Sequence, residues 1–184
     1  MKALVPLANG YEEMEAVIII DTLRRAEWDV VVAGISAGTI EGAHGIGLVP
    51  DIIWDQVDPC DFDVLLTPGG FGGTMALVGH EGVLKAIRDF DAEGKWVCSI
   101  CASPLVLHAA GILEGRCFCC YPGVEEKLPA HVQPVNEMVV VDGHLITGQG
   151  PGTAFEFALK VVAECDNPDV ANAVRNGLLL SINN

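Results

Sequence analysis

Positive charge is what this sequence has least of. Its 10 lysines and arginines face 25 aspartates and glutamates, for a formal net charge of -15. No Lys/Arg run breaks that balance. General nucleic-acid binding and docking on anionic membranes are therefore excluded, since both rest on a basic surface. Long apolar runs are missing too, and no stretch approaches the length of a membrane span. The run Met1–Asn9 is too short for a signal peptide, and Pro6, Glu12, Glu13 and Glu15 interrupt or follow it. Phosphate-binding loops are also absent. There is no Gly-Lys-Ser/Thr, and Gly70-Phe-Gly72 and Gly148-Gln-Gly150 both lack the last glycine of a dinucleotide fingerprint, with Met75 and Thr153 in its place. No nucleotide cofactor is expected.

Cysteine, by contrast, is plentiful. The 7 cysteines stand at 60, 98, 101, 117, 119, 120 and 165. With no export signal they read as reduced thiols of a cytoplasmic protein, most of them small buried hydrophobes. Cys98 and Cys101 form a C-x-x-C, but Cys98 falls inside a strand, where thioredoxin-type chemistry does not place it. Cys117, Cys119 and Cys120 match no zinc spacing and have no histidine nearby, so no metal is expected. His80, His108, His131 and His144 stand without partners at motif spacing and read as surface or structural residues.

The 184 residues, 51% of them hydrophobic, suit one domain over 1–184 with a sizeable core. Apolar runs at Lys2–Leu7, Asp29–Ala33, Val64–Thr67 and Trp96–Ile100 read as strands. They alternate with helices over Glu12–Trp28, Glu81–Asp91 and Ser103–Ala110. The Gly-rich segment Gly34–Gly47 predicts short antiparallel strands, with Leu48–Pro50 returning toward the sheet. Met138–Val141 and Leu145–Thr147 form a hairpin turned at Asp142-Gly143. Helices over Thr153–Glu164 and Asp169–Leu180 close the chain. The alternation predicts an α/β fold: a doubly wound, mostly parallel sheet with helices on both faces. Its ligand crevice lies beyond the carboxyl ends of the strands. The turns at Asn9-Gly10, Thr67–Gly73, Cys101–Pro104 and Gly148–Thr153 open there.

Cys101 follows the strand Trp96–Ile100 and precedes a helix, with small Ala102 and Ser103 for a tight turn and Pro104 for the helix start. That is the layout of a nucleophile elbow carrying cysteine, beside a helix start that favours the thiolate. Position alone also admits one more buried thiol. Glu15 shares a helix face with Ile18, Ile19, Thr22 and Ala26, the spacing of an inward stripe. It reaches the same crevice, and a protonated Glu15 donating to a sulfur anion avoids two adjacent negative charges. Glu12 and Glu13 read as capping and dipole support. Gly69-Gly70, after Pro68, offers backbone N–H groups close to a ligand.

Five stretches carry a resemblance: Asn9-Gly-Tyr-Glu-Glu-Met-Glu15, Leu66-Thr-Pro-Gly-Gly70, Ser99-Ile-Cys-Ala-Ser-Pro104, Tyr121-Pro122 and Gly150-Pro-Gly-Thr-Ala-Phe-Glu156. In this order, over nearly the whole chain, they resemble the ThiJ/PfpI superfamily. Within it the chain is similar to the branch of the Parkinsonism-associated protein and bacterial YajL. The resemblance implies a flavodoxin-like sandwich of the class I glutamine amidotransferase type and a homodimer. It also implies a readily oxidised Cys101 beside a protonated Glu15, with Gly69, Gly70 and Ala102 as backbone donors around the sulfur. The activities it implies act on reactive 2-oxoaldehydes or glycated proteins without a cofactor. The alternative is a non-enzymatic oxidative-stress sensor and chaperone that works through oxidation of Cys101. Two pocket positions depart from the branch. Tyr121 stands where the Parkinsonism-associated protein has a histidine, and tyrosine is a poor general base at neutral pH. His44 stands where an arginine is usual. Ala102 replaces the histidine that follows the cysteine in the protease branch, which argues against a peptidase.

Overall fold

Apolar strands without alternation need cover on both faces, and β1 (Lys2–Leu7) is buried at every position after its first. It pairs in parallel with β2 (Asp29–Gly34) on one side and β6 (Val64–Thr67) on the other. The computed structural model describes residues 1–180. Residues 181–184 of the expected 1–184 domain lie outside the described residues. β5 (Ile52–Ile53), β7 (Trp96–Ile100), β8 (Val139–Asp142) and β9 (Leu145–Gly148) complete a seven-stranded sheet in the order β5-β2-β1-β6-β7-β9-β8. Every neighbouring pair is parallel except β8 with β9. β3 (Ile40–Glu41) and β4 (Gly47–Leu48) form a separate antiparallel arm. This is the mostly parallel architecture that the alternation of elements predicts, and the flavodoxin-like fold that the resemblance implies.

Helices cover the sheet in two groups. α1 (Glu13–Arg25) packs on α5 (Ala154–Cys165), which packs on α6 (Pro168–Gly177). α2 (Phe71–Val78), α3 (Glu81–Glu93) and α4 (Pro104–Ala110) pack against one another. α1 turns Glu15, Ala16, Ile19, Thr22 and Leu23 inward, close to the predicted stripe. It starts where the Glu12 side chain accepts the Glu15 N–H at 2.7 Å, and it carries Arg24 and Arg25 in its last turn. No helix among the described residues is long and apolar enough to cross a membrane.

Three elements differ from the sequence expectation. α2 is a helix that the Gly-rich stretch after Gly70 does not announce, because Gly72 and Gly73 lower its intrinsic propensity. Its glycines are instead set by a crossing of chains: a β-carbon on Gly73 would lie 2.9 Å from the Tyr11 backbone. The return strand is Ile52–Ile53 rather than Leu48–Pro50, since Leu48 pairs with Ile40 in the arm. The last helix ends at Gly177, short of Leu180.

Candidate active site

The switch between the two winding directions of the sheet falls between β1 and β6, where such folds leave a crevice. The turns after β1, β6 and β7 meet there, and those after β1 and β6 are bound main chain to main chain. Glu12 N–H donates to Gly69 O at 2.9 Å and Gly73 N–H to Gly10 O at 3.0 Å. Gly70, at φ +86°, passes so close to Gly10–Glu12 that no side chain fits.

Cys101 ends β7 in the left-handed region, at φ 65°. A non-glycine residue held there costs about 1–3 kcal/mol and persists only where its surroundings fix it. Here they do. Its N–H donates to Gly148 O at 2.9 Å, and its carbonyl accepts the Tyr121 N–H at 2.9 Å. Ser103, treated above only as a small turn residue, donates its hydroxyl to Pro68 O at 2.6 Å and shares a hydrogen bond of 3.1 Å with Thr74. It thereby ties the β7 turn to the β6 turn. The sequence argument missed this role, which the small buried residue beside a reactive position hinted at.

Glu15 is fully buried and meets Cys101 at Gly69. A β-carbon on Gly69 would lie 2.5 Å from Glu15 Oε2 and 3.0 Å from Cys101 Sγ. The carboxyl and the thiol thus lie on either side of the same Gly69 position. Oε2 accepts the Gly69 N–H at 2.7 Å, whereas Oε1 is buried without a partner. Gly69 is thus a donor to Glu15, not to the sulfur, which corrects its expected place. The backbone groups of Gly70 and Ala102 lower the Cys101 thiol against its burial.

Burial raises the Glu15 carboxyl to about 7, against the hydrogen bonds of Cys101 and Gly69. The Cys101 thiol is pushed up to about 12, first by burial and then by the charge and hydrogen bond of Glu15. The two protons therefore leave as those of one pair. Below about pH 7 both groups are neutral; between about 7 and about 12 the pair carries a single negative charge. The N–H groups of Gly70 and Ala102 draw that charge to sulfur, and that of Gly69 draws it to the carboxylate. Cys101 is 8% exposed, so the residue is buried at the turn rather than open to the crevice expected from its position.

The remaining expected pocket residues divide. Tyr121 is half exposed beside the turn, its ring against Gly150, and helps line a cavity of about 210 Å³ with Pro122, Gln149 and Pro151. The contacts of His44 join it to Glu13, not to Cys101 or Glu15. Its N–H donates to Glu13 Oε1 at 2.6 Å and its Nδ1 lies 2.9 Å from Oε2. Burial raises the Glu13 carboxyl, but the His44 and Ile46 hydrogen bonds outweigh it and bring it to about 2. Glu13 therefore fastens the β3–β4 arm to α1 instead of serving only the helix dipole. Glu12, Glu13 and His44 also bring three ligand-type atoms within 4.8 Å of one another, but Glu13 is already spent on the arm.

The coupling has a measurable sign. Alkylation of Cys101 is expected to rise through about pH 7 in the wild type, as the pair loses its first proton. Glu15→Gln, which keeps a donor and removes the charge, is expected to retain much of that rise. Glu15→Ala, which removes the charge and hydrogen bond that push the thiol up together with burial, is expected to bring the thiol's own titration down from about 12. Three superimposable profiles would show that the carboxyl does not act on the sulfur.

A sequence profile of the DJ-1/PfpI family matches residues 1–164. Protein dj-1beta of Drosophila melanogaster is 39% identical over 183 residues, covering 98% of each chain. Its crystal structure superimposes with a TM-score of 0.93. A deglycase of Pyrococcus horikoshii is 34% identical, covering 88% of this chain and 98% of its own. A glutathione-independent glyoxalase of Caenorhabditis elegans is 33% identical, covering 92% of this chain and 91% of its own.

Proposed function

The chain belongs to the DJ-1/PfpI family, and from that membership and the geometry of the β7 turn we propose a cytoplasmic, cofactor-independent enzyme acting on small 2-oxoaldehydes or their early protein adducts. The observation that carries this reading is the meeting of the Glu15 carboxyl and the Cys101 sulfur beside Gly69. The glyoxalase and deglycase relatives support the reaction type.

The sulfur of the singly charged pair attacks the aldehyde carbon, forming a C–S bond, while the Glu15 proton goes to the carbonyl oxygen. The result is a hemithioacetal, and the N–H groups of Gly70 and Ala102 stabilise charge as it leaves the sulfur side of the pair. Glu15, now a carboxylate, takes the proton from the former aldehyde carbon and returns it to the neighbouring carbonyl carbon. With the hydroxyl proton passing from the former aldehyde oxygen to the ketone oxygen, the aldehyde carbon is oxidised to a thioester and the ketone carbon reduced to an alcohol, with no outside electron carrier. Water then cleaves the thioester, releasing a hydroxyacid and restoring the thiol. A carboxyl raised to about 7 is suited to donate and accept within one cycle. A residue only 8% exposed favours small substrates of methylglyoxal size. The test is lactate formed from methylglyoxal without glutathione; a rate equal to that of buffer would end the proposal.

A second copy of the chain is proposed to cover α1 and the β3–β4 arm. Met14, Val17, Ile46 and Val49 are exposed there, where a monomer gains nothing from apolar side chains. Glu13 and Tyr11, whose hydroxyl donates to Ile46 O at 2.9 Å, hold the arm in place.

A further inference from the structure

Positive charge is scarce in this chain, and nearly all of it is spent. Among the described residues every lysine and arginine ion-pairs with a carboxylate except Lys2 and Lys127. Lys2 opens β1, at the end of the sheet away from the crevice. Lys127 is exposed and closes the short 3₁₀ turn Val124–Lys127, which begins where the Val124 N–H donates to Tyr121 O at 3.0 Å. Its ammonium stands 5.1 Å from the centre of the Phe71 ring, within cation–π range. The neighbouring Glu125 turns back to accept the Gly123 N–H at 2.7 Å.

Both ends of this contact are tied to the Cys101 site. Phe71 is two residues past Gly69, whose β-carbon position lies 3.0 Å from the sulfur. Its α-carbon is therefore within about 7.6 Å of that of Gly69. Tyr121, on the other side, donates its N–H to the Cys101 carbonyl at 2.9 Å. Lys127 on Phe71 thus joins the two segments that flank the sulfur. Phe71 and Tyr121 are each about half exposed, so the rim offers aromatic surface and one cation without a carboxylate.

We propose that Lys127, seated on Phe71, is a specificity-determining residue that brings anionic carbonyl compounds to Cys101, the class being 2-oxoaldehydes with a carboxylate on a short tail. The substrate class rests on the enzyme reading above; the placement of the charge does not. A net charge of -15 repels anions from most of the surface, so one cation at the rim governs which of them reach the sulfur. In 4,5-dioxopentanoate, a member of the class, the aldehyde carbon goes to sulfur and the tail carboxylate to the ammonium. The bond changes match those for methylglyoxal. The aldehyde carbon ends as a carboxylate and the ketone as an alcohol, one water is taken up and one proton released, and the tail is unchanged. The product is 2-hydroxyglutarate.

The experiment compares iodoacetate with iodoacetamide, reagents of similar size that differ in charge, by peptide mass at Cys101 and at low ionic strength. In Lys127→Met the iodoacetate-to-iodoacetamide rate ratio should fall about 5-fold, the scale of one unit charge at close range in water. Lys127→Arg should keep the ratio. Lys2→Met, which removes the same charge at the far end of the sheet, should keep it too. The kcat/KM ratio of 4,5-dioxopentanoate to methylglyoxal should fall in step in Lys127→Met, with the loss in KM. An unchanged ratio in Lys127→Met, or an equal fall in Lys2→Met, would overturn the inference even if methylglyoxal is turned over normally. A wild type that forms no hydroxyacid from either compound would end the enzyme reading and the substrate class with it. The alkylation ratio would then still decide whether Lys127 selects anions at the sulfur.

Discussion

Cys101→Ala is expected to lower lactate formation from methylglyoxal to the uncatalysed rate, a loss of about 10³-fold or more if the sulfur is the nucleophile. The substitution deletes one buried atom and leaves the main-chain clamps from Gly148 and Tyr121 in place. It also takes from Glu15 the hydrogen bond that holds its carboxyl down against burial. The protein should therefore stay folded, with a stability change of about 1 kcal/mol in either direction. A rate that survives the substitution would move the chemistry to another residue. A wild type that forms no lactate but gains one or two oxygens at Cys101 under mild peroxide would favour the sensor reading.

Gly69→Ala is expected to be nearly as severe, although it removes no reactive atom. The added methyl would sit 2.5 Å from Glu15 Oε2 and 2.6 Å from Cys101 Cβ. Neither neighbour is a free-swinging tip. Glu15 is fully buried on α1, and Cys101 is fixed on both sides by backbone hydrogen bonds. Overpacking of this kind costs about 1–3 kcal/mol. It also pries apart the carboxyl and the sulfur, so turnover should fall by about 10²-fold, the scale of a lost proton transfer. Gly152→Ala, where a β-carbon meets nothing within 4 Å, provides the comparison and should leave both rate and midpoint unchanged. Full activity in Gly69→Ala would show that the pair does not operate as a unit.

What the sequence made legible was whatever a local pattern encodes. Cys101 could be found because an apolar strand, two small residues and a helix-starting proline flank it. Glu15 could be found because helical spacing placed it on the inward stripe. The parallel sheet followed from strands that do not alternate. What stayed hidden was pairing across the chain. Glu13 with His44 and Ser103 with Pro68 each join residues whose neighbourhoods look ordinary in isolation. The exchange of Gly69 from sulfur donor to carboxylate anchor is of the same kind, since a glycine pair announces available N–H groups but not their targets. α2 was missed for a different reason. Its glycines answer to the chain crossing at Gly10 and Tyr11, so tertiary fit outweighs local preference.

The backbone at residue 101 twists to φ 65°, a shape that an amino acid with a side chain adopts reluctantly and glycine adopts freely. Anyone engineering this scaffold for thermal endurance would therefore be led to position 101 first, and the most stabilising choice there would also discard the sulfur beside Glu15. Endurance and reactivity are set against each other at a single α-carbon.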